Sequence, residues 1–597
     1  MDIESKGAES APLRVEEEQQ QQPTGAVREQ GVDRMLYGVD ERPPWPTAIL
    51  LALQQFLTMF ASTVSLPMLM SGPLCMSGDT VGVSQLISTV LFVAGVGTLL
   101  QVNFGVRLPI IQSISASFAN PFIAFLSLPK WKCPGCATTL GGNYNGTAVV
   151  ECGSEPHKAL WEGRLRELQG AIMVSSVVQM FLGFSGLVGF LLNYIGPLTI
   201  TTTIALIGLS LFDLVAIKSQ SHWWISLATL VLIVLFSQHL RKVTVPFCTY
   251  KRTSERPACS RSSLRCFALF PILIAISLSW LLCFVLTELD VLPSQPGHWG
   301  YGARTDTKLH VLSRAPWFSF PYPGQWGTPT VSVSGILSGL AAITPSIVES
   351  VGDYYACARV SGAPPPPKYA VSRGIGIEGV TCMVAGAWGS SGGLTSYSQN
   401  TGAIGITKFS AVFVAIPDPI VGGLFFAMFG MVTGVGLSNL QYVDLSSSRN
   451  LLVLGVSLFT GLTIPKWLSH PANAHAISTG SSEVDQVLTV LFSTSTFVGG
   501  VVAFILDNTI PGTREERGLV RWRAGSKGIS GDLDLKLYDL PFIQGWFNKR
   551  HLTNYLPFCP GFRRGEKRNA PVSEHTMASY GKHVPSCKSS HDQFSEL

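Results

Sequence analysis

Gln399 and Asn400 place two side-chain amides at the end of a run of small residues, Gly389 to Ser398, and Thr407-Lys408 follow within the same stretch. A side-chain amide offers a donor and an acceptor side by side, so it can form paired hydrogen bonds with another amide-like edge. Nucleobases present such edges, and Gln or Asn pairs with them bidentately in other settings. Upstream, Glu349 and Asp353 are four residues apart and share one helix face. One carboxylate there suits a hydrogen bond to a neutral polar solute and the other suits a coupling cation, with Ser117 and Thr407 as further oxygen donors. Ser117-Phe118-Ala119 adds an aromatic ring able to stack on a flat solute, and backbone N–H groups at a half-helix start. Each feature also has a plainer reading. The amides could satisfy backbone at a helix break, Asp353 could be a helix-end residue at the surface, and Phe118 could be core packing.

The elements that position these residues are apolar. Only 13% of the 597 residues are charged, against about 25% in an ordinary soluble domain. Mean hydropathy is +0.32, and the apolar residues come in continuous blocks. This pattern predicts an all-α polytopic membrane protein and excludes a membrane β-barrel, whose strands would alternate. A net charge of +5 carries no nucleic-acid signal in such a chain, since basic residues gather in cytoplasmic loops. Candidate spans are 47–70, 84–104, 109–127, 169–192, 197–216, 221–238, 266–287, 330–351, 374–390, a short 395–407, 409–433, 450–467 and 484–506. The segments 109–127 and 395–407 are broken by Ser, Gly, Asn and Pro and read as discontinuous. Broken backbone at membrane depth is tolerated where it lines a polar cavity. The two lie third in each half, which predicts inverted repeats over about 47–290 and 330–508, with a solute site where they meet. Residues 1–42 read as a disordered tail without a cleavable signal, 43–508 as the membrane domain, and 509–597 as a second tail.

The basic loop 239–265 and the basic tail after 507 predict a cytoplasmic location for both, and the same register puts the N-terminal tail inside. It puts the loop 128–168 outside, where Asn145 sits in a glycosylation sequon. Two inside termini require an even number of crossings, yet thirteen candidates are present. The discrepancy points to the region of Lys408, a residue expected at the cytoplasmic side although the next span begins at Phe409. Of the twelve cysteines, Cys133, Cys136 and Cys152 share the outer loop, and one disulfide is expected among them. Cys283, Cys357 and Cys382 read as membrane-core residues. No metal spacing and no nucleophile–base pair appears, so neither an enzyme nor a resident cofactor is expected. The C-terminal Ser595-Glu596-Leu597 fits capture by a PDZ domain.

Taken together, Gln399-Asn400-x-Gly402 followed by Thr407-Lys408, Glu349-Ser350-Val351-Gly352-Asp353, Tyr354 to Arg359, Gly362 to Pro367, Leu437 to Gln441 and Phe504 to Thr509 resemble the nucleobase–ascorbate transporter family, in its sodium-coupled animal branch. The likeness runs from about residue 35 to about residue 560. It implies fourteen segments in two inverted repeats of seven, divided into core and gate domains, commonly as a homodimer in the plasma membrane. It implies that Glu349 and Gln399 bond the substrate, that Phe118 and Ala119 line its site, and that Asn400 and Asp353 support the substrate or the sodium. The family's vitamin C carriers have Pro where Gln399 stands, which turns the expectation toward uracil, thymine, guanine, hypoxanthine and xanthine, with ascorbate or urate as the alternative. Two departures stand out. Gln54-Gln55 replaces the usual Gln-His, and a span of about 20 residues is missing after Lys408. The gap lies where the parity argument failed. This reading assigns the missing span to the gate and expects weak or absent transport, with a dimer-partner role for a silent short form as the remaining alternative.

Overall fold

The apolar blocks fold as helices, several of them begun by a side-chain cap or by a proline in the first turn. A computed structural model describes, with short interruptions, residues 63–131, 154–308, 320–397, 415–520, 535–540 and 557–559, besides a few single residues and pairs elsewhere. Helix α1 (Thr80–Phe104) begins where the Asp79 carboxylate accepts the Gly82 N–H at 2.9 Å. Strand β1 (Ile111–Ile114) passes directly into α2 (Ala116–Leu126), capped by Ser115. Then come α3 (Glu155–Phe184), the short α4 (Leu187–Leu191), α5 (Pro197–Leu209), α6 (Phe212–Ser219), α7 (Trp223–Val234) and α8 (Pro271–Glu288). The second half holds α9 (Val333–Val360), α10 (Lys368–Trp388), strand β4 (Leu394–Tyr397), α11 (Asp418–Ser438), α12 (Ser448–Leu468), α13 (Ser482–Ser493) and α14 (Ser495–Thr509). Between α7 and α8 the basic loop forms an antiparallel hairpin, β2 (Val245–Thr253) and β3 (Arg256–Leu264), which the sequence reading did not anticipate.

Among the described residues, seven helices are long and apolar enough to cross a membrane, or eight if the bent pair α13–α14 forms one span. The chain is therefore a helical multi-pass protein, as its composition predicts. Two boundaries differ from expectation. Helix α3 starts at Glu155, so the polar stretch before residue 169 is its first turns and not loop. The predicted span 197–216 stands as one membrane-length stretch, Pro197–Ser219, with a turn between α5 and α6, whereas the predicted span 484–506 bends by 79° between Ser493 and Ser495. Apolar content alone carries no signal for such bends.

The helices pack as two groups. In one, α3 lies along α10, α1 packs against α10 and β1, and α2 and α3 pack on α9. In the other, α11 packs on α5, α6 and α7, while α12, α14 and α5 form a second cluster and α8 rests on α7. Helix α13 touches both groups through α9, α2, α12 and α14. Outside the membrane-length helices, the structure forms a disulfide between Cys75 and Cys133. This takes Cys133 out of the pairs expected within the outer loop, while the side chains of Cys136 and Cys152 lie outside the described residues. Cys75 follows a turn at Gly72-Pro73 in a left-handed conformation (φ 64°), which sequence spacing does not reveal. Cys283 and Cys382 are buried and Cys357 is half-buried.

Candidate substrate site

The two broken segments meet as a pair of short antiparallel strands. β1 and β4 run in register from Ile111↔Tyr397 to Ile114↔Leu394, and the Ser115 N–H extends the ladder to the Gly393 carbonyl at 3.3 Å. Each strand has two hydrogen-bonding edges, and this pairing satisfies part of what the break in each helix leaves open. Small residues permit the crossing. A Cβ built on Gly393 would stand 2.3 Å from the ring of Phe118, so only glycine lets that ring close over the strand. Phe118 and Ala119 are buried, and Phe118 also tilts against Phe122 with ring centroids 5.8 Å apart.

Glu349 on α9 reaches the start of α2. Its Oε2 accepts from Ser115 Oγ at 2.7 Å and from Ser117 Oγ at 2.6 Å. Ser115 Oγ also accepts the Ser117 N–H at 3.0 Å, so one hydroxyl caps the helix and holds the carboxylate. Both hydroxyls converge on a single carboxylate oxygen, and among the described residues Oε1 is left to other partners. The positive end of α2 favours a negative or electronegative group at this point. Asp353 lies one turn further along α9 and is as buried as Glu349, at 5% exposure each, so it is not a surface helix end.

A second carboxylate, which the sequence reading passed over, sits behind the crossing. Glu378 of α10 is fully buried and accepts from Ser350 Oγ (2.6 Å), Tyr354 Oη (2.9 Å) and Ser396 Oγ (3.4 Å). Gln101 donates to Tyr354 Oη at 2.7 Å and Gln112 to Ser396 Oγ at 2.5 Å. The network links α1, β1, α9, α10 and β4. A carboxylate inside a predicted span was the available signal, because ionisable groups at membrane depth are rare. Nearby, Ser346 and Thr395 hydroxyls meet at 2.6 Å, and Thr63 and Ser113 at 2.8 Å.

Of the expected site residues, the structure brings Ser117 and Glu349 into direct contact and places Phe118, Ala119 and Asp353 in the same buried region. Gln399, Asn400, Thr407 and the sequon Asn145 lie outside the described residues, although β4 ends two residues before Gln399. Other motif residues have structural work. Asp507, fully buried, pairs with Arg449 and Arg517 at 3.0 Å each, and Asn439–Tyr442 form the turn that ends α11. Asp213 pairs with Lys466 at 2.6 Å, with both side chains at least half exposed. Among the described residues, no cluster of His, Cys, Asp and Glu could hold a metal ion.

Known proteins match this arrangement over most of its length. The Permease family model, Xan_ur_permease, matches residues 46–409 and 406–470, in two pieces that join at residues 406–409. Solute carrier family 23 member 1 of Rattus norvegicus is 47% identical over 562 residues, covering 90% of this chain and 91% of that protein. Solute carrier family 23 member 2 of Homo sapiens is 46% identical, covering 90% and 84%. Nucleobase-ascorbate transporter 1 of Arabidopsis thaliana is 32% identical, covering 85% and 95%.

Proposed function

The chain belongs to this permease family, and on that premise we propose that its site serves sodium-dependent uptake of nucleobases across the plasma membrane by alternating access, in full once the span absent after Lys408 is present. The substrates are uracil, thymine, guanine, hypoxanthine and xanthine. The observation that carries the reading is Glu349, buried at the start of α2 with Ser115 and Ser117 on one oxygen, beside the strand that runs into Gln399. Glu349 and the Gln399 amide supply the acceptor and the paired donor–acceptor edge that a base requires. Phe118 and Ala119 form the wall, and Asn400 supports the amide edge. Asp353, Thr407 and the Ser117 hydroxyl are the oxygen donors assigned to sodium coupling.

The plant relative's name covers nucleobases and ascorbate alike, so both classes belong to the reading, and Gln399 is the residue that favours bases. Substituting Gln399→Pro removes that amide. In a chain with the span absent after Lys408 restored, the expected result is loss of uracil uptake with protein still at the cell surface, while the restored chain that keeps Gln399 is competed by hypoxanthine but not by ascorbate. Unchanged uracil uptake in Gln399→Pro would overturn the assignment. A second reading is favoured by the two-piece family match joining at 406–409. A chain short of one span acts as a silent partner in a homodimer with a complete transporter. Co-expression that leaves the complete form's uptake unchanged would exclude it. We also propose that both tails face the cytoplasm, that Asn145 is glycosylated, and that the C-terminus is open to a PDZ domain.

A further inference from the structure

The last carbonyls of α10 are met by donors from other segments of the chain. A helix leaves its final carbonyls without intrahelical partners, and α10 ends where the chain turns toward β4. Gly389 makes that turn in a left-handed conformation (φ +85°), and the Ser390 N–H returns to the Ala385 carbonyl at 2.9 Å. Gln169 of α3 donates Nε2 to the Gly386 carbonyl at 3.1 Å. The next three carbonyls are met, in order, by three consecutive residues of the segment that precedes α9. The Gly324 N–H donates to Ala387 at 2.9 Å, Gln325 Nε2 to Trp388 at 2.9 Å, and Trp326 Nε1 to Gly389 at 3.1 Å.

This strap is itself held in place. The Gly327 N–H closes a tight turn on the Gly324 carbonyl at 2.9 Å, and Gln325 Nε2 also donates to Thr89 Oγ1 of α1 at 2.8 Å. Trp326 is buried and meets Trp161 of α3 edge-on at 5.2 Å, and Thr330 Oγ1 donates to Glu167 of α3 at 2.7 Å. A Cβ on Gly389 would stand 2.2 Å from Trp326 Cδ1, so the indole lies directly against the turn. Between that turn and β4 come Ser390, Ser391, Gly392 and Gly393. Both serines are buried, and among the described residues their hydroxyls have no hydrogen-bond partner. Such residues have little side chain with which to hold a path of their own. Gly393 is the residue beneath the Phe118 ring, and its carbonyl accepts the Ser115 N–H.

We propose that Gln325 and Trp326 are positioning residues for the candidate site: by capping α10 they fix the path of the chain from Gly389 into β4, and through β4 its register on β1 and its seat under Phe118. That this region binds the solute rests on the function proposed above, but the capped path does not. The path is tested without transport, by amide hydrogen exchange of the purified full chain in detergent. In the pair Gln325→Leu with Trp326→Phe, residues 393–397 are expected to exchange at least tenfold faster than in the unaltered chain. Amides in the middle of α10 stay protected and report that the variant is folded. If the pair does not fold, Trp326→Phe alone is read in the same way, since it keeps a ring against Trp161 and loses the N–H. Unchanged exchange at 393–397 would overturn the proposal.

The consequence for the site is read from uptake, in a chain with the span absent after Lys408 restored. Trp326→Phe is expected to raise the KM for uracil at least threefold, with the maximal rate per surface molecule within twofold of the parent. Tyr322→Ala, at an exposed position of the same segment, should leave both unchanged. A strap that only supports the fold would lower the surface level and leave KM as it was, and that result would overturn the positioning role. A restored chain that keeps Trp326 and takes up no uracil counts against the nucleobase reading, and the exchange rates then decide on the strap alone.

Discussion

A carboxylate as buried as Glu349 is costly unless donors surround it, and here two serine hydroxyls supply them at 2.6 and 2.7 Å. Both reach Oε2, so substrate is expected on the other side of the group. Glu349→Gln keeps the size and removes the charge. Loss of one charge-assisted hydrogen bond, about 1.5–3 kcal/mol, predicts at least a tenfold weaker apparent affinity for uracil, read from the concentration dependence of uptake in a chain with the absent span restored after Lys408. Glu378 has a different part. It is enclosed by hydroxyls of Ser350, Tyr354 and Ser396, all within the protein. Glu378→Ala leaves these donors without their acceptor and is expected to lower stability by about 2–3 kcal/mol, seen as a lower melting temperature in detergent. A normal melting curve would show that the network contributes little. That Glu349, Asp353 and Ser117 lie together in the interior was legible from sequence because polar residue types are conspicuous inside apolar blocks, whereas Phe118 and Ala119 were named through the family resemblance. Glu378 was marked by being a carboxylate inside a predicted span and was passed over; its partners were not legible, because they come from helices and strands far apart in the chain.

At the scale of elements, the repeat shows where the missing span belongs. In the first half the fourth element, α3, packs along α10 and α9. Its counterpart in the second half would follow Lys408 and, by the same symmetry, pack along α1. On that symmetry the absent span is expected beside α1, in the α1–α3 group that carries the site, where the sequence reading expected it in the gate. The stripe it would cover includes Leu99, which is 66% exposed, together with half-buried Phe92. The bend between α13 and α14 had no sequence signature, because Ser493-Thr494-Ser495 interrupts the apolar run only briefly. The Cys75–Cys133 bridge was equally hidden, since it joins positions 58 residues apart and reaches outside the cysteine-bearing loop. Closing a loop of that length stabilises by about 4 kcal/mol in the chain-entropy account. Cys75→Ser is therefore expected to lower the melting temperature, and a chain already treated with reductant should show no further loss.

At the scale of the whole molecule, two tails assigned by charge to one side and an odd set of spans are incompatible, and the family match breaks at the same residues. Hydropathy and charge made the class, the paired broken segments and the gap legible. Which helix packs on which depends on contacts between the halves, which sequence periodicity does not encode. The central claim is that Glu349 and the Gln399 region form a sodium-coupled nucleobase site in a chain short of one helix. The most direct measurement is radiolabelled uracil uptake, normalised to surface biotinylation, in sodium and in choline. It compares this chain with one in which the corresponding span of the rat relative, about 20 residues, is inserted after Lys408. The account predicts uracil uptake by the restored chain at least tenfold higher in sodium than in choline, and near-background uptake by the unaltered chain. A restored chain that reaches the surface and takes up no uracil, or takes it up equally in choline, would contradict it.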